Sequence, residues 1–137
     1  MDNKQLTAKA EAMASKAKTA FIGSVDSDGF PNVKGMEIRG REGLVFYFST
    51  AADTLRIQHY QASPKAALYI HQGFSGVQLL GRMDVLDDAA SKKIVWHEGD
   101  EFYYPQGFND PTFKVLRFTP ATGRLNDDKG PHDFVIE

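Results

Sequence analysis

Phe21-Ile22-Gly23-Ser24-Val25-Asp26-Ser27-Asp28-Gly29-Phe30-Pro31-Asn32-Val33-Lys34-Gly35-Met36 reads as two alternating runs around a turn. Ala20–Asp26 and Pro31–Arg39 change polarity with the period of two that a half-buried strand requires, and Asp28-Gly29 supplies residues that tolerate a reversal. Leu44 to Thr50 follows as a third, more apolar strand, so the three are expected to pair as an antiparallel meander. Asp53-Thr54-Leu55-Arg56 then opens a short helix, which ends before Ser63-Pro64 because the residue preceding a proline is pushed out of the helical region.

Outward from that stretch the pattern stays that of a β protein. Leu6, Ala10, Met13 and Ala17 recur at helical spacing and predict an amphipathic first helix over residues 3–18, with Asp2 or Asn3 as cap. Ala66–Ile70 and Val77–Leu86 read as buried strands around the Gly73–Gly76 turn. Asp87 is placed to cap a helix running to Trp96, followed by strands at Phe113–Thr119 and near Gly123–Leu125. The acidic tail 127–137 is expected to be loose. Six or so strands with three short helices predict a closed or nearly closed barrel over about 20–126, because an open antiparallel sheet of this size would expose its edges.

The 137 residues fit one domain, with no room for a second core. A net charge of −2 lacks the strongly basic face of nucleic-acid binders. The charge is uneven: residues 1–82 carry ten basic against seven acidic side chains, and residues 83–137 carry six against eleven, so an anionic ligand is expected on the first part. Without cysteine there is no disulfide, thiolate nucleophile or thiolate metal site. No signal-like apolar run precedes the first strand and none is long enough for a membrane-spanning helix, so the expected setting is the cytoplasm, away from membranes.

Several chemistries are set aside on spacing. Gly73-Phe74-Ser75-Gly76 lacks the second glycine of a nucleophile elbow, since position 77 is Val77. His59, His71, His97 and His132 are 12, 26 and 35 residues apart, which places no two ligands on one helix face, so no metal site is expected. The stronger signal is Ser49, Thr50, Thr54 and Arg56 at one helix N-terminus. Hydroxyl donors, a guanidinium fork and free backbone N–H groups together suit a phosphate. The same residues also suit a plain helix cap, with Arg56 lying along the surface. Tyr103-Tyr104-Pro105-Gln106-Gly107-Phe108-Asn109-Asp110-Pro111 is a second unusual segment, a rigid aromatic loop suited to closing a pocket or covering a dimer seam.

Ser24–Pro31, Val45–Thr50, Thr54-x-Arg56 and Ser63-Pro64-Lys65-Ala66-Ala67-Leu68 together resemble the FMN-binding split barrels of the pyridoxamine 5′-phosphate oxidase-like superfamily, over residues 5–125. Trp96, Tyr104-Pro105-x-Gly107-x-x-Asp110-Pro111 and Lys114–Phe118 resemble its bacterial general stress protein branch. The resemblance implies a mainly β split barrel of six or seven antiparallel strands that binds FMN at the interface of a homodimer. It implies that Thr50, Thr54 and Arg56 hold the phosphate, with Ser49 and Leu55 among the cofactor-binding residues of the same segment. Lys34, Gly35, Met36 and Glu37 would run beside the ribityl chain and ring, Gln78 would offer a polar contact to the ring, and Trp96 is expected near the cofactor cleft or the dimer seam. Leu55 stands where the oxidases have a basic residue, which implies one phosphate contact fewer. The implied activity is that of a flavin-dependent oxidoreductase acting on a small molecule. The alternative is a non-catalytic protein that binds flavin, haem or deazaflavin. No catalytic acid or base is implied, since the flavin carries the chemistry.

Overall fold

The structure, a computed structural model, describes residues 1–137. Eight antiparallel strands form one curled sheet, with three helices around it. β1 (Thr19–Val25) and β2 (Pro31–Glu37) make the hairpin read from the alternating pattern, with Gly29 at φ 83° in its turn. After β2 the chain bends at Ile38-Arg39 and continues as β3 (Gly40–Glu42), which pairs with β4 (Val45–Ala51). With β5 (Lys65–Gln72), β6 (Ser75–Leu86) and β7 (Phe113–Asp127), the sheet order is β2-β1-β5-β6-β7-β4-β3, so its two ends are joined by covalent continuity through Ile38-Arg39 while β2 itself stays an edge. That is the split in a split barrel.

The expected meander is therefore corrected. β4 pairs with β7 (Phe113–Asp127) and not with β2. The reason is burial: Phe46, Tyr47 and Phe48 are all buried, which demands cover on both faces and neighbours on both edges, the position of a central strand. β7 is one fifteen-residue strand rather than two, and it pairs with β6 (Ser75–Leu86) along its length through Pro120. A bulge at Leu80/Gly81 makes this possible, and a Cβ on Gly81 would collide with the Thr119 carbonyl oxygen.

The tail is not loose. Gly130–Val135 forms β8 along the outer edge of β7, Phe134 is buried in the core, and the Val135 N–H donates to Asn3 Oδ1 at 3.1 Å. One buried phenylalanine and a row of ladder hydrogen bonds outweigh the polarity of the segment.

The first helix, α1 (Asn3–Lys16), ends two residues earlier than expected and begins in a capping box between Asp2 and Gln5. α2 (Leu55–Ala62) follows β4 and is succeeded by β5 (Lys65–Gln72). α3 (Ala89–Val95) is capped by Asp88 rather than Asp87, whose carboxylate instead accepts from Lys114 Nζ at 3.1 Å. Two cores result. Phe46, Phe48, Leu116, Phe118, Leu68 and Leu79 fill the barrel, and Tyr47, Val95, Tyr104, Phe113 and Val115 form a second cluster outside β4 and β7 beneath α3 and the following loop. Strand alternation along β4 thus sends Thr50 to the barrel side and Ser49 to the loop side.

Candidate functional site

α2 starts without a side-chain cap, unlike α1 and α3, which are capped by aspartates. The side chain of its N-cap residue, Thr54, makes no bond to the helix and holds its Oγ1 3.2 Å from Thr50 Oγ1. Two residues on, Arg56 is half-buried and its Nε is buried with no hydrogen-bond partner. An orphaned guanidinium N–H is costly to leave in place, so this end of the barrel is short of an acceptor. The rest of α2 is pinned to β1. Tyr60 Oη donates to the Gly23 carbonyl at 3.0 Å, and His59 Nδ1 lies 2.7 Å from Ser24 Oγ. Burial raises the Tyr60 phenol far above its ordinary value, opposed by Arg56, so it remains a donor.

The remaining residues singled out from sequence fall in other places. Leu55 is exposed beside Arg56. Lys34 pairs with the fully buried Ile22, which puts it on the barrel side of the edge strand. Gly35 lies on the outer face, and the flat ring against it is that of Phe21, 3.3 Å from where a Cβ would stand. Gln78 is on that same face, in a row running Gly35–Phe21–Tyr69–Gln78 across four strands. Met36, Glu37 and Ser49 line a cavity of about 340 Å³ on the loop side of β4, opposite the Thr50 side.

Tyr103 and Tyr104 form the far wall of this cavity, with Arg39 and Asp100 completing it. The loop that presents them is tied down at both ends by buried aspartates. The Asp100 carbonyl accepts the N–H groups of Tyr103 and Tyr104, each at 3.0 Å. The Asp110 carboxylate accepts from Gln106 N at 3.1 Å, Thr112 N at 2.9 Å and Thr112 Oγ1 at 2.8 Å. The Thr112 and Gln106 N–H groups and the Thr112 hydroxyl hold the Asp110 carboxyl below the usual carboxylate range. Burial, with Asp100 adding to it, lifts the Tyr104 phenol above its ordinary value. Trp96 is half-buried behind this wall, 5.2 Å from Phe113, 6.1 Å from Phe108 and 6.3 Å from Tyr104 between ring centres.

Arg39 and Asp100 were not visible in sequence. They pair across 61 positions, joining the bend after β2 to the loop after α3, and neither position carries a local motif. The loop's tyrosines were visible, through their density of aromatic and proline residues.

A sequence model of the family described as "Pyridoxamine 5′-phosphate oxidase" matches residues 6–127, and the chain belongs to that family. Its fold and sequence are similar to those of a solved protein from Clostridium acetobutylicum. That protein is described as related to general stress protein 26 of B. subtilis, in the pyridoxinephosphate oxidase family. The two are 30% identical with a TM-score of 0.84 over 99% of this chain and 97% of that one. General stress protein 26 from Bacillus anthracis shares the fold at 17% identity and a TM-score of 0.81, over 96% of this chain and 99% of that one. A heme-binding protein from Mycobacterium smegmatis shares it at 13% identity and a TM-score of 0.75, over 94% of this chain and 57% of that one. No curated protein matches the chain.

Proposed function

We propose that this chain is a cytoplasmic, homodimeric FMN protein of the general stress protein type, acting as a flavin-dependent oxidoreductase. The observation that carries the reading is the orphaned Nε of Arg56 in the first turn of the one α-helix that starts without a side-chain cap, its N-cap Thr54 holding its hydroxyl against Thr50 instead. A phosphate monoester fits this donor set. Its oxygens would accept from the guanidinium and both hydroxyls, and its charge would complement the positive end of α2. Lys34, on the barrel side of the edge strand, would add a second cation in place of the basic residue that Leu55 replaces. Bound there, FMN would supply reversible hydride and single-electron transfer. The residues at the start of α2 would anchor and orient the cofactor.

Dimerisation is supported by the outer face of β2-β1-β5-β6. Val33 is 75% and Leu80 47% exposed there, over a shallow depression of about 540 Å³ floored by small residues such as Gly23 and Ala67. An apolar face of this extent on a small monomer marks an interaction surface, and a second copy would bring Gly35 and Gln78 to the seam.

A non-catalytic haem protein is the second reading, motivated by the heme-binding neighbour. One spectrum tests both. Protein purified and then mixed with FMN should show the two flavin bands between about 350 and 500 nm, perturbed from those of the free cofactor. A Soret band that appears only with haem would favour the second reading, and an FMN spectrum unchanged by protein would remove the first.

A further inference from the structure

The cavity between β4 and the tyrosine loop is lined on the opposite side of the strand from the phosphate donors, and its electrostatics are of the opposite kind. Its one cation is engaged by carboxylates and a carbonyl through all three of its nitrogens. Arg39 Nε donates to the Val95 carbonyl at 3.1 Å, one terminal nitrogen to Glu37 Oε2 at 3.4 Å, and the other to Asp100 Oδ2. One oxygen of Asp100 is committed too, since Oδ2 also accepts the His97 N–H at 2.8 Å. Two of the five Arg39 N–H groups have no partner, but two carboxylates against one guanidinium leave the wall net negative.

What remains available is Glu37, the Ser49 and Tyr104 hydroxyls and the Tyr103 ring. The Glu37 side chain is 66% exposed and held only by the long bond from Arg39. Tyr104 stays a neutral phenol because burial raises it, and it lies beside Ser49. Tyr103 is 72% exposed, yet its backbone is fixed by Asp100, so the ring stands at the cavity mouth at little cost in ordering. Met36 closes the apolar side with a thioether that adapts to shape.

We propose that this cavity is a binding site for a planar aromatic molecule carrying a cationic or N–H-rich group, and that it discriminates against carboxylates and phosphates. The ring would lie against Tyr103 and Met36, and the N–H groups would face Glu37. As the site of the molecule that the flavin oxidises or reduces, the cavity rests on the FMN reading; its charge preference does not. The anion would be held at α2 on one side of β4, and the electron partner, of opposite polarity, at the loop on the other side.

The test uses three probes of one shape and different charge: benzamidine, benzamide and benzoate. Each is titrated into ¹⁵N-labelled protein, with and without saturating FMN, and the amide resonances of Ser49, Tyr103 and Tyr104 are followed. Benzamidine should shift these amides saturably and bind up to about 5-fold more tightly than benzoate, the upper end for a solvent-screened charge contact. Glu37→Gln should bring benzamidine down to the affinity of benzamide. Tyr103→Ala, at an exposed position that does not carry the fold, should weaken both. The shifts should persist in FMN-loaded protein. Benzoate binding as tightly as benzamidine, absence of saturable shifts at these amides, or displacement of benzamidine by FMN would each overturn the proposal. Failure of FMN itself to bind would overturn the flavin reading and leave the titration of flavin-free protein as the test of the cavity.

Discussion

Thr50 and Thr54 hold their hydroxyl oxygens 3.2 Å apart across the turn that joins β4 to α2, and neither hydroxyl caps the helix. A threonine at an N-cap ordinarily contributes about 0.5–2 kcal/mol to stability through its bond to the first turn. Thr54 makes no such bond, so its hydroxyl serves something other than the helix. Thr54→Val should leave the unfolding free energy within about 0.5 kcal/mol of the parent and weaken FMN by roughly 1 kcal/mol, or about five-fold. Denaturant unfolding and calorimetric titration of the same samples check both halves.

The tyrosine loop should loosen in acid. Asp110 is buried and its carboxyl is held below the usual range, first by the Thr112 N–H, then by that of Gln106 and by the Thr112 hydroxyl. A depressed folded value means that the stabilisation is complete above the unfolded value, about 3.9, and is lost as pH falls through the lower folded one. Trp96 is the single tryptophan and packs on Phe108 and Tyr104 of that loop, so its emission reports loop order. Emission should hold steady from neutrality to about pH 4 and change below it, whereas Asp110→Asn should show the altered emission already at pH 7. An acid transition of equal size in parent and variant would assign it to other carboxylates.

The barrel core should respond as a close-packed interior. Phe48 and Phe118 are fully buried between β4, β6 and β7. Phe118→Ala should cost about 3–5 kcal/mol, the transfer of the ring plus the cavity it leaves. Phe102 is among the most exposed side chains, and Phe102→Ala should stay within about 0.5 kcal/mol. Urea midpoints at unchanged m-values measure the difference.

A charge on the outer face should separate the two copies. Leu80→Asp places a carboxylate in the middle of the apolar face while its backbone ladder to Ala67 and Thr122 is kept. Sedimentation should give a dimer near twice 15.2 kDa for the parent and a shift toward monomer for the variant. A parent that sediments as monomer at micromolar concentration contradicts the paired arrangement.

Legibility in the sequence followed local periodicity. β1, β2 and β4 could be read because alternation and the Asp28-Gly29 turn are contained within a few residues, and Thr54-x-Arg56 because a helix start is a local event. β3 carries no such pattern: Gly40-Arg41-Glu42 is a strand only because Val45–Tyr47 lies beside it. β8 offered a turn glycine, Gly130, and a single core residue, Phe134, too little to outweigh its polarity. The pairing of β4 with β7 and the Arg39–Asp100 pair depend on contacts across some sixty positions, which no window of sequence contains. Ser49 and Thr50 show the same limit at the site. Their adjacency in sequence suggests one ligand set, but adjacent residues on a strand face opposite sides, and only Thr50 joins Thr54.

The most direct test of the account is the ratio of FMN to riboflavin affinity in the parent and in Arg56→Ala, since the two ligands differ only in the phosphate. The parent should prefer FMN. Arg56→Ala should lose about 10- to 150-fold of that preference, the worth of a charge-assisted hydrogen bond, with riboflavin affinity unchanged. An Arg56→Ala protein that binds FMN as tightly as the parent, or a parent that does not distinguish FMN from riboflavin, would contradict a phosphate site at the start of α2.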